Sequence, residues 1–91
     1  MKTYIIIFSL TQNNSFYTNL YTYLKSSGTW AMPFQGVWLV TTSISAVQIR
    51  DGLRQRTYKG DKVLVAPIQP NDWGTSNVDA SINNWLKDKL G

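Results

Sequence analysis

The apolar stretch at residues 4–10, near the start of the chain, constrains the fold more than any other part of the sequence. Its first five residues are bulky and mostly β-branched or aromatic, which favours a β-strand over a helix. Apolar and polar residues do not alternate along it, so both faces of this strand are expected to be buried, as at the centre of a sheet. The predicted strand covers about residues 3–9 and ends at Ser9, a position where sheets often carry functional groups.

The chain has 91 residues, which is enough for one domain. Its 43% hydrophobic and 13% aromatic residues indicate a globular protein rather than a disordered one. We predict a single domain over residues 1–91, with a core of about residues 1–68 and a C-terminal extension helix over about residues 76–90.

Several kinds of chemistry are excluded by residues that the sequence lacks. There is no Cys, His or Glu, so thiolate sites, Ser-His-Asp catalysis and His-based metal sites are excluded. The sequence therefore argues against an enzyme and predicts no cofactor and no resident metal. The carboxylate side chains are those of Asp51, Asp61, Asp72, Asp79 and Asp88.

The charge balance is basic, with nine Lys and Arg against five Asp and a net charge of +4. This excess is compatible with a polyanionic partner and equally with simple solubility. Five of the cations fall within residues 50–62, and these are the predicted nucleic-acid-binding residues. The first apolar run is too short to cross a membrane and has no cleavage site, which predicts a cytoplasmic protein without a membrane partner. The five cations are Arg50, Arg54, Arg56, Lys59 and Lys62.

Hydrophobic periodicity and capping residues divide the rest of the chain into elements. Ser45 and Gln48 fit a capping box at the start of one helix, and Ser76 is the predicted cap of the last helix. The predicted helices cover about residues 15–27, 45–56 and 76–90. The predicted strands after the first cover about residues 30–32, 37–41 and 62–68, and the last of these is expected to be buried on both faces.

The order of these elements, βαββαβ followed by a helix, predicts an α+β fold of the ferredoxin-like type. Such a fold leaves one sheet face open, and the two candidate central strands are apolar on both sides. The last helix could cover only part of that face, so the sequence predicts a homodimer that packs sheet to sheet. The predicted interface residues are Phe8, Trp38, Val40 and Trp73.

The motifs along these elements resemble the SinR-like and CRISPR-associated second-protein superfamily, which includes VapD-type ribonucleases. The resemblance covers nearly the whole chain and is carried by the order of individually weak motifs. These motifs are Thr3-Tyr4-Ile5-Ile6-Ile7, Asn19-Leu20-Tyr21, Leu24-Lys25-Ser26, Gly28-Thr29-Trp30-Ala31 with Pro33, Val37-Trp38-Leu39-Val40, the segment from Ser45 to Asp51, and Trp85-Leu86-Lys87.

The resemblance implies a homodimer in which the ends of the two first strands lie near each other. In nuclease-competent members an Asp at that end, one from each chain, is proposed to bind one divalent metal. This sequence has Ser9 at the aligning position. A neutral hydroxyl is a poor sole anchor for Mg²⁺, and the departure argues against nuclease activity.

Three functions remain open from the sequence. The favoured interpretation is a catalytically inactive module that binds nucleic acid or an (oligo)nucleotide, related to CRISPR adaptation and toxin-type ribonucleases. The first alternative is a Mg²⁺-dependent endoribonuclease, which would need Asp61 or Asp72 as its carboxylate. The second is a protein-interaction or regulatory dimer without nucleic acid, anchored by tryptophans such as Trp73.

Overall fold

Four antiparallel strands and three α-helices form an α+β domain in the computed structural model, which describes residues 1–91. None of the helices has the length and apolar character needed to cross a membrane. The strands are β1 (Lys2–Ser9), β2 (Thr29–Phe34), β3 (Val37–Thr42) and β4 (Lys62–Pro67). The helices are α1 (Thr18–Ser26), α2 (Ala46–Arg54) and α3 (Ala80–Leu90).

The strand order in the sheet is β2-β3-β1-β4. All three neighbouring pairs are antiparallel. Because β3 lies between β1 and β2, and β1 lies between β3 and β4, each strand–helix–strand unit spans an inserted strand. The apolar run of β1 is therefore central, as predicted, whereas β2 and β4 are the edge strands.

Helices α1 and α2 cover one face of the sheet, which we call the helix face. Leu20 and Leu24 of α1 and Ile49 and Leu53 of α2 are almost wholly buried there. They meet alternate sheet residues, which include Ile6, and the tyrosine that precedes α1. The sheet and helix residues of this core are Tyr4, Ile6, Phe8, Tyr17, Leu20, Leu24, Trp38, Val40, Ile49 and Leu53.

Helix α3 covers part of the opposite face, which we call the open face. Leu86 and Leu90 of α3 pack on Ala31 and Leu39 and form a second, smaller core. The C-terminus is fixed to this face by the Trp73 indole, which donates to the Gly91 carbonyl at 3.0 Å. The prediction that the last helix covers only part of the sheet is confirmed, because Ile7 remains 43% exposed.

The expectation that two strands are buried on both faces is wrong in its details. Strand β4 lies at the sheet edge, and Leu64 on its open face is 55% exposed. Strand β1 is central, yet α3 does not reach Ile7 near its end. The physical reason is length, since an 11-residue helix on one side of a sheet cannot cover both ends of four strands.

Two helix starts differ from the predicted ones, while a third agrees. The segment before α1 is a short 3₁₀ helix (Asn14–Tyr17), capped by the Asn13 side chain. The last helix begins at Ala80 rather than at Ser76, because Asn77 has a left-handed φ of 63° that a helix cannot contain. The capping box of α2 is present as predicted, with Ser45 and Gln48 bonded reciprocally.

Helices α1 and α2 approach closely at a glycine. A Cβ atom at position 52 would overlap the Tyr23 ring. This close contact explains why α2 contains a glycine there, although glycine weakens a helix. Arg56 strengthens it, since its guanidinium carbon lies 4.3 Å from the Tyr23 ring centroid and its Nη1 donates to the Gly52 carbonyl at 2.8 Å.

Candidate functional site

The end of β1 carries a hydroxyl and no carboxylate of its own. Ser9 is exposed and pairs with Lys62 of β4. Its side chain lies on the open face, on the same side of the strand as Ile7. The structure therefore places a neutral donor and an ammonium group where the resemblance implies a metal-binding Asp.

Asp61, beside this strand end, is fully engaged in holding two loops together. Its Oδ1 accepts from the Thr11 amide at 2.7 Å and the Thr11 hydroxyl at 2.8 Å. Its Oδ2 accepts from the Tyr17 hydroxyl and the Tyr58 amide, both at 2.8 Å. Four donors fill the acceptor positions of a carboxylate. Asp61 thus joins the loop after β1 to the turn before β4, and offers no open position to a metal ion.

These hydrogen bonds dominate the titration of Asp61. Burial acts to raise the pKa of its carboxyl group, but the bonds from Tyr58, Thr11 and Tyr17 outweigh it and lower the pKa to about 2. An unfolded Asp has a pKa of about 3.9. Stability from this group is therefore complete above about pH 4 and is lost as the pH falls through about 2, because the folded pKa is the lower one.

Replacing Asp61 by Asn is expected to flatten the dependence of stability on pH between about pH 4 and pH 2. The loss at neutral pH should be on the order of 1 kcal/mol, a discounted value because the side chain is partly open to solvent. Urea unfolding of Asp61→Asn at several pH values measures both quantities. The control is Asp51→Asn, whose exposed pair with Arg50 should contribute far less. An unaltered pH slope in Asp61→Asn would contradict the assignment.

The other carboxylate considered for a metal site takes part in no ion pair. Asp72 lies in an exposed loop, where its backbone N–H donates to the Gln69 carbonyl oxygen at 3.4 Å. No three side chains of the metal-binding types Asp, Glu, His or Cys come together in the structure. The carboxylate of Asp61 is thus occupied by protein donors, and that of Asp72 is exposed in its loop.

The predicted basic residues lie on different elements, and their binding of nucleic acid stays a prediction. Arg50 is bonded to Asp51, with Nη2 at 2.8 Å from Oδ1, and Arg56 is packed on Tyr23 as described above. Arg54, Lys59 and Lys62 are exposed on α2, on the following turn and on β4. Residues that are close together in the sequence are therefore distributed over three elements of the fold.

The predicted interface residues lie in the two cores rather than on a free surface. Phe8, Trp38 and Val40 are 9%, 3% and 0% exposed beneath the helix face. They alternate with the open-face residues of β1 and β3, so they point towards α1 and are not available to a partner. Trp73 is half-buried, because its indole packs against the core beneath α3 and donates to Gly91.

The apolar surface that remains on the open face is a row of side chains that crosses all four strands. Directly paired residues of antiparallel strands share a face, so the strand register defines the row. Three of its members are large and exposed, at 58%, 43% and 55% for Phe34, Ile7 and Leu64. We call it the apolar row, and its members are Phe34, Val37, Ile7 and Leu64.

A groove of about 850 Å³ lies between α1 and the edge strand β2. Trp30 and Met32 of β2 face the helix side, but they remain 40% and 49% exposed. Tyr21 and Lys25 of α1, one helical turn apart, form the opposite wall. Two helices cannot cover all four strands completely, and the uncovered part of β2 becomes a wall of the groove.

Aromatic rings line the groove in contact with each other. The Trp38 ring is stacked with Tyr21 at 5.8 Å between centroids and tilted against Trp30 at 4.9 Å. The Lys25 ammonium group lies 5.3 Å from the Trp30 ring centroid, a cation–π contact. Trp38 is fixed in the core, whereas Trp30 keeps part of its indole exposed. The groove therefore presents a preformed aromatic surface beside one positive charge.

Polar side chains from loops and turns also line the groove. Gln12 and Asn14 come from the loop and 3₁₀ helix after β1, and Gln35 comes from the β2–β3 turn. The Tyr21 hydroxyl donates to Asn14 Oδ1 at 3.2 Å. Burial, with a smaller contribution from Tyr17, raises the pKa of Tyr21, so this phenol stays neutral and acts as a donor. Lys25 is the one charged residue among those that line the groove.

This groove is the candidate site that the sequence reasoning missed. The sequence predicts a strand over about residues 30–32 and a helix over about residues 15–27, but it does not show that the two elements face each other. Two patterns in the sequence could have indicated the groove. Trp30 and Met32 lie two residues apart and so share one face of a strand, and Tyr21 and Lys25 lie four residues apart and so share one face of a helix.

Neither a protein-family model nor a curated protein nor a solved structure matches the chain.

Proposed function

We propose that this protein is a homodimeric, catalytically inactive module that binds nucleic acid or an oligonucleotide through unpaired bases. The observation that carries the proposal is the groove between α1 and β2, where the exposed Trp30 indole lies beside the Lys25 ammonium group. Proteins that bind single strands commonly pair aromatic stacking surfaces with positive charge.

The energetics of the groove suit a nucleotide better than a wholly apolar ligand. Base stacking on an aromatic side chain contributes about 1–3 kcal/mol per base. Lys25 can reach a phosphate, and no acidic residue lines the groove to repel one. A base inside a duplex has both faces covered by its neighbours, so the groove favours unpaired bases.

The absence of catalysis in this proposal is supported by the end of β1. Ser9 carries no charge for Mg²⁺, and all four acceptor positions of Asp61 are filled by protein donors. The side chains near this strand end therefore suit hydrogen bonding to a ligand rather than metal-assisted hydrolysis.

We further propose a ferredoxin-like fold and a homodimer related to the SinR-like and CRISPR-associated second-protein superfamily. The order β2-β3-β1-β4, with α1 and α2 on one face, supports the fold because each strand–helix–strand unit is split by another strand. The exposed apolar row supports the dimer, since it would pair with itself across a two-fold axis. Cytoplasmic location stays a prediction of the sequence.

Fluorescence anisotropy with a labelled ten-nucleotide single strand tests the function directly. We expect the single strand to bind and the duplex of the same sequence to bind more weakly. The salt dependence should be shallow, at a slope of about −0.7 per phosphate contacted, because Lys25 is the groove's single cation. Failure to bind any single strand at low salt, or a preference for the duplex, would contradict the proposal.

A further inference from the structure

The loop after β1 forms part of the groove but is held by a carboxylate that lies outside it. Gln12 and Asn14 of this loop line the groove. Asp61 does not line it, and neither do Thr11 and Tyr17, whose hydroxyls donate to Asp61. The position of this wall of the groove therefore depends on a residue in the turn before β4.

Two chains of hydrogen bonds run from Asp61 to Gln12. In the first, the Thr11 hydroxyl donates to Asp61 Oδ1 at 2.8 Å and accepts from Gln12 Nε2 at 3.3 Å. In the second, the Tyr17 hydroxyl donates to Asp61 Oδ2 at 2.8 Å and accepts from the Gln12 backbone N–H at 3.1 Å. Gln12 is thus held at its backbone and at its side chain. The residue is exposed, which leaves its side-chain oxygen open to a ligand.

Only a carboxylate fits between the loop and the turn. Besides the two hydroxyls, Asp61 Oδ1 accepts from the Thr11 backbone N–H at 2.7 Å and Oδ2 accepts from the Tyr58 backbone N–H at 2.8 Å. An ionised carboxylate accepts at both oxygens, whereas an amide has one oxygen and one NH₂ group. In Asp61→Asn, either orientation of the amide sets its NH₂ group against one of these backbone N–H groups. The loop and the turn then have to separate, and Gln12 loses its fixed position.

We infer that Asp61 is a positioning residue of the groove, because it fixes Gln12 there through the hydroxyls of Thr11 and Tyr17. This inference rests on the proposed function and identifies a residue outside the groove on which the affinity for a single strand depends. Asp61 itself contacts no ligand, since protein donors fill its acceptor positions.

The sign of the effect separates positioning from charge and from stability. Asp61→Asn removes a negative charge, and this change alone favours binding of a polyanion. A role confined to stability would leave the affinity of the folded protein unchanged. Displacement of Gln12 has the opposite effect to the charge, because it takes a hydrogen-bonding group away from the ligand and weakens binding.

The test measures the affinity for the ten-nucleotide single strand by fluorescence anisotropy, at a temperature at which thermal unfolding shows each variant to be folded. We expect Asp61→Asn to bind about 3- to 10-fold more weakly than the wild type, which corresponds to one hydrogen bond. Tyr17→Phe keeps the charge and the buried ring and removes one of the two chains, so it should also weaken binding. The control Asp72→Asn makes the same charge change in an exposed loop and should bind within about twofold of the wild type, or more tightly.

A second measurement on the free protein reports the position of Gln12 directly. In ¹⁵N spectra, the backbone amide signal of Gln12 should move in Asp61→Asn and in Tyr17→Phe, because both variants change its hydrogen bond to the Tyr17 hydroxyl. The same signal should stay in place in Asp72→Asn. An unmoved Gln12 signal in Asp61→Asn would overturn the inference without any ligand.

The outcomes of the binding test differ for the inference and for the proposed function. If the wild type binds and either folded variant, Asp61→Asn or Tyr17→Phe, binds as tightly or more tightly, the inference is overturned while the proposed function stands. An equal loss of affinity in Asp72→Asn also overturns it, because that substitution leaves Gln12 in place. A wild type that does not bind rejects the proposed function, and the inference falls with it. Should Asp61→Asn fail to fold, Tyr17→Phe decides.

Discussion

Replacement of Trp30 by alanine is expected to weaken binding of a single-stranded oligonucleotide by on the order of 10- to 100-fold. The loss corresponds to the stacking of one base on an aromatic side chain, about 1–3 kcal/mol. Trp30 also holds Lys25 by a cation–π contact, so the variant loses both the stacking surface and the position of the ammonium group. Anisotropy titrations of the wild type and of Trp30→Ala at one salt concentration give the ratio of affinities.

A matched control separates loss of the groove from general loss of exposed aromatic surface. Phe16 is 51% exposed and packs against Tyr58, away from the walls of the groove. Phe16→Ala should leave the affinity within about twofold of the wild type, as is usual for a surface substitution outside the site. Equal losses in the two variants, or no loss in Trp30→Ala while its thermal unfolding is unchanged, would show that the groove is not the binding site.

Substitution of Ile7 by lysine is expected to convert the proposed homodimer into a monomer. Ile7 lies at the centre of the apolar row, between Val37 of β3 and Leu64 of β4. In a two-fold interface each substitution appears twice, so two ammonium groups would be buried close together without partners. Light scattering after size exclusion should give twice the chain mass for the wild type and the single-chain mass for Ile7→Lys.

The control for this variant introduces the same charge on the other side of the molecule. Val47 on α2 is 55% exposed, more than Ile7, and belongs to the helix side of the sheet. Val47→Lys should remain a dimer. A wild-type protein that is monomeric at high concentration, or an Ile7→Lys variant that stays dimeric, would contradict a dimer built on the apolar row.

The local features of the fold could be predicted from sequence where one physical signal dominated. The apolar run of β1 and the capping box at Ser45 each depend on neighbours along the chain. Gly28 is different, because a Cβ there would overlap the Thr41 carbonyl oxygen, a contact that only the tertiary structure reveals.

The features that sequence reasoning misplaced depend on how far one element reaches over another. Phe8, Trp38 and Val40 are apolar on a predicted sheet, and only the placement of α1 decides that they are core. Leu64 and Ile7 are equally apolar, and only the short span of α3 leaves them exposed. The five clustered cations likewise lie on three different parts of the fold, namely α2, the turn after it and β4.

The most direct test of the central claim uses the four tryptophans as reporters on the two faces of the sheet. Trp30 and Trp38 belong to the groove, whereas Trp73 and Trp85, the latter a residue of α3, pack against the second core on the open face. Titration of ¹⁵N-labelled protein with a single-stranded oligonucleotide should shift the indole N–H signal of Trp30 most, with Trp38 following and the other two nearly unmoved. Shifts confined to Trp73 and Trp85, or no shift at saturating oligonucleotide, would contradict the assignment of the groove as the binding site.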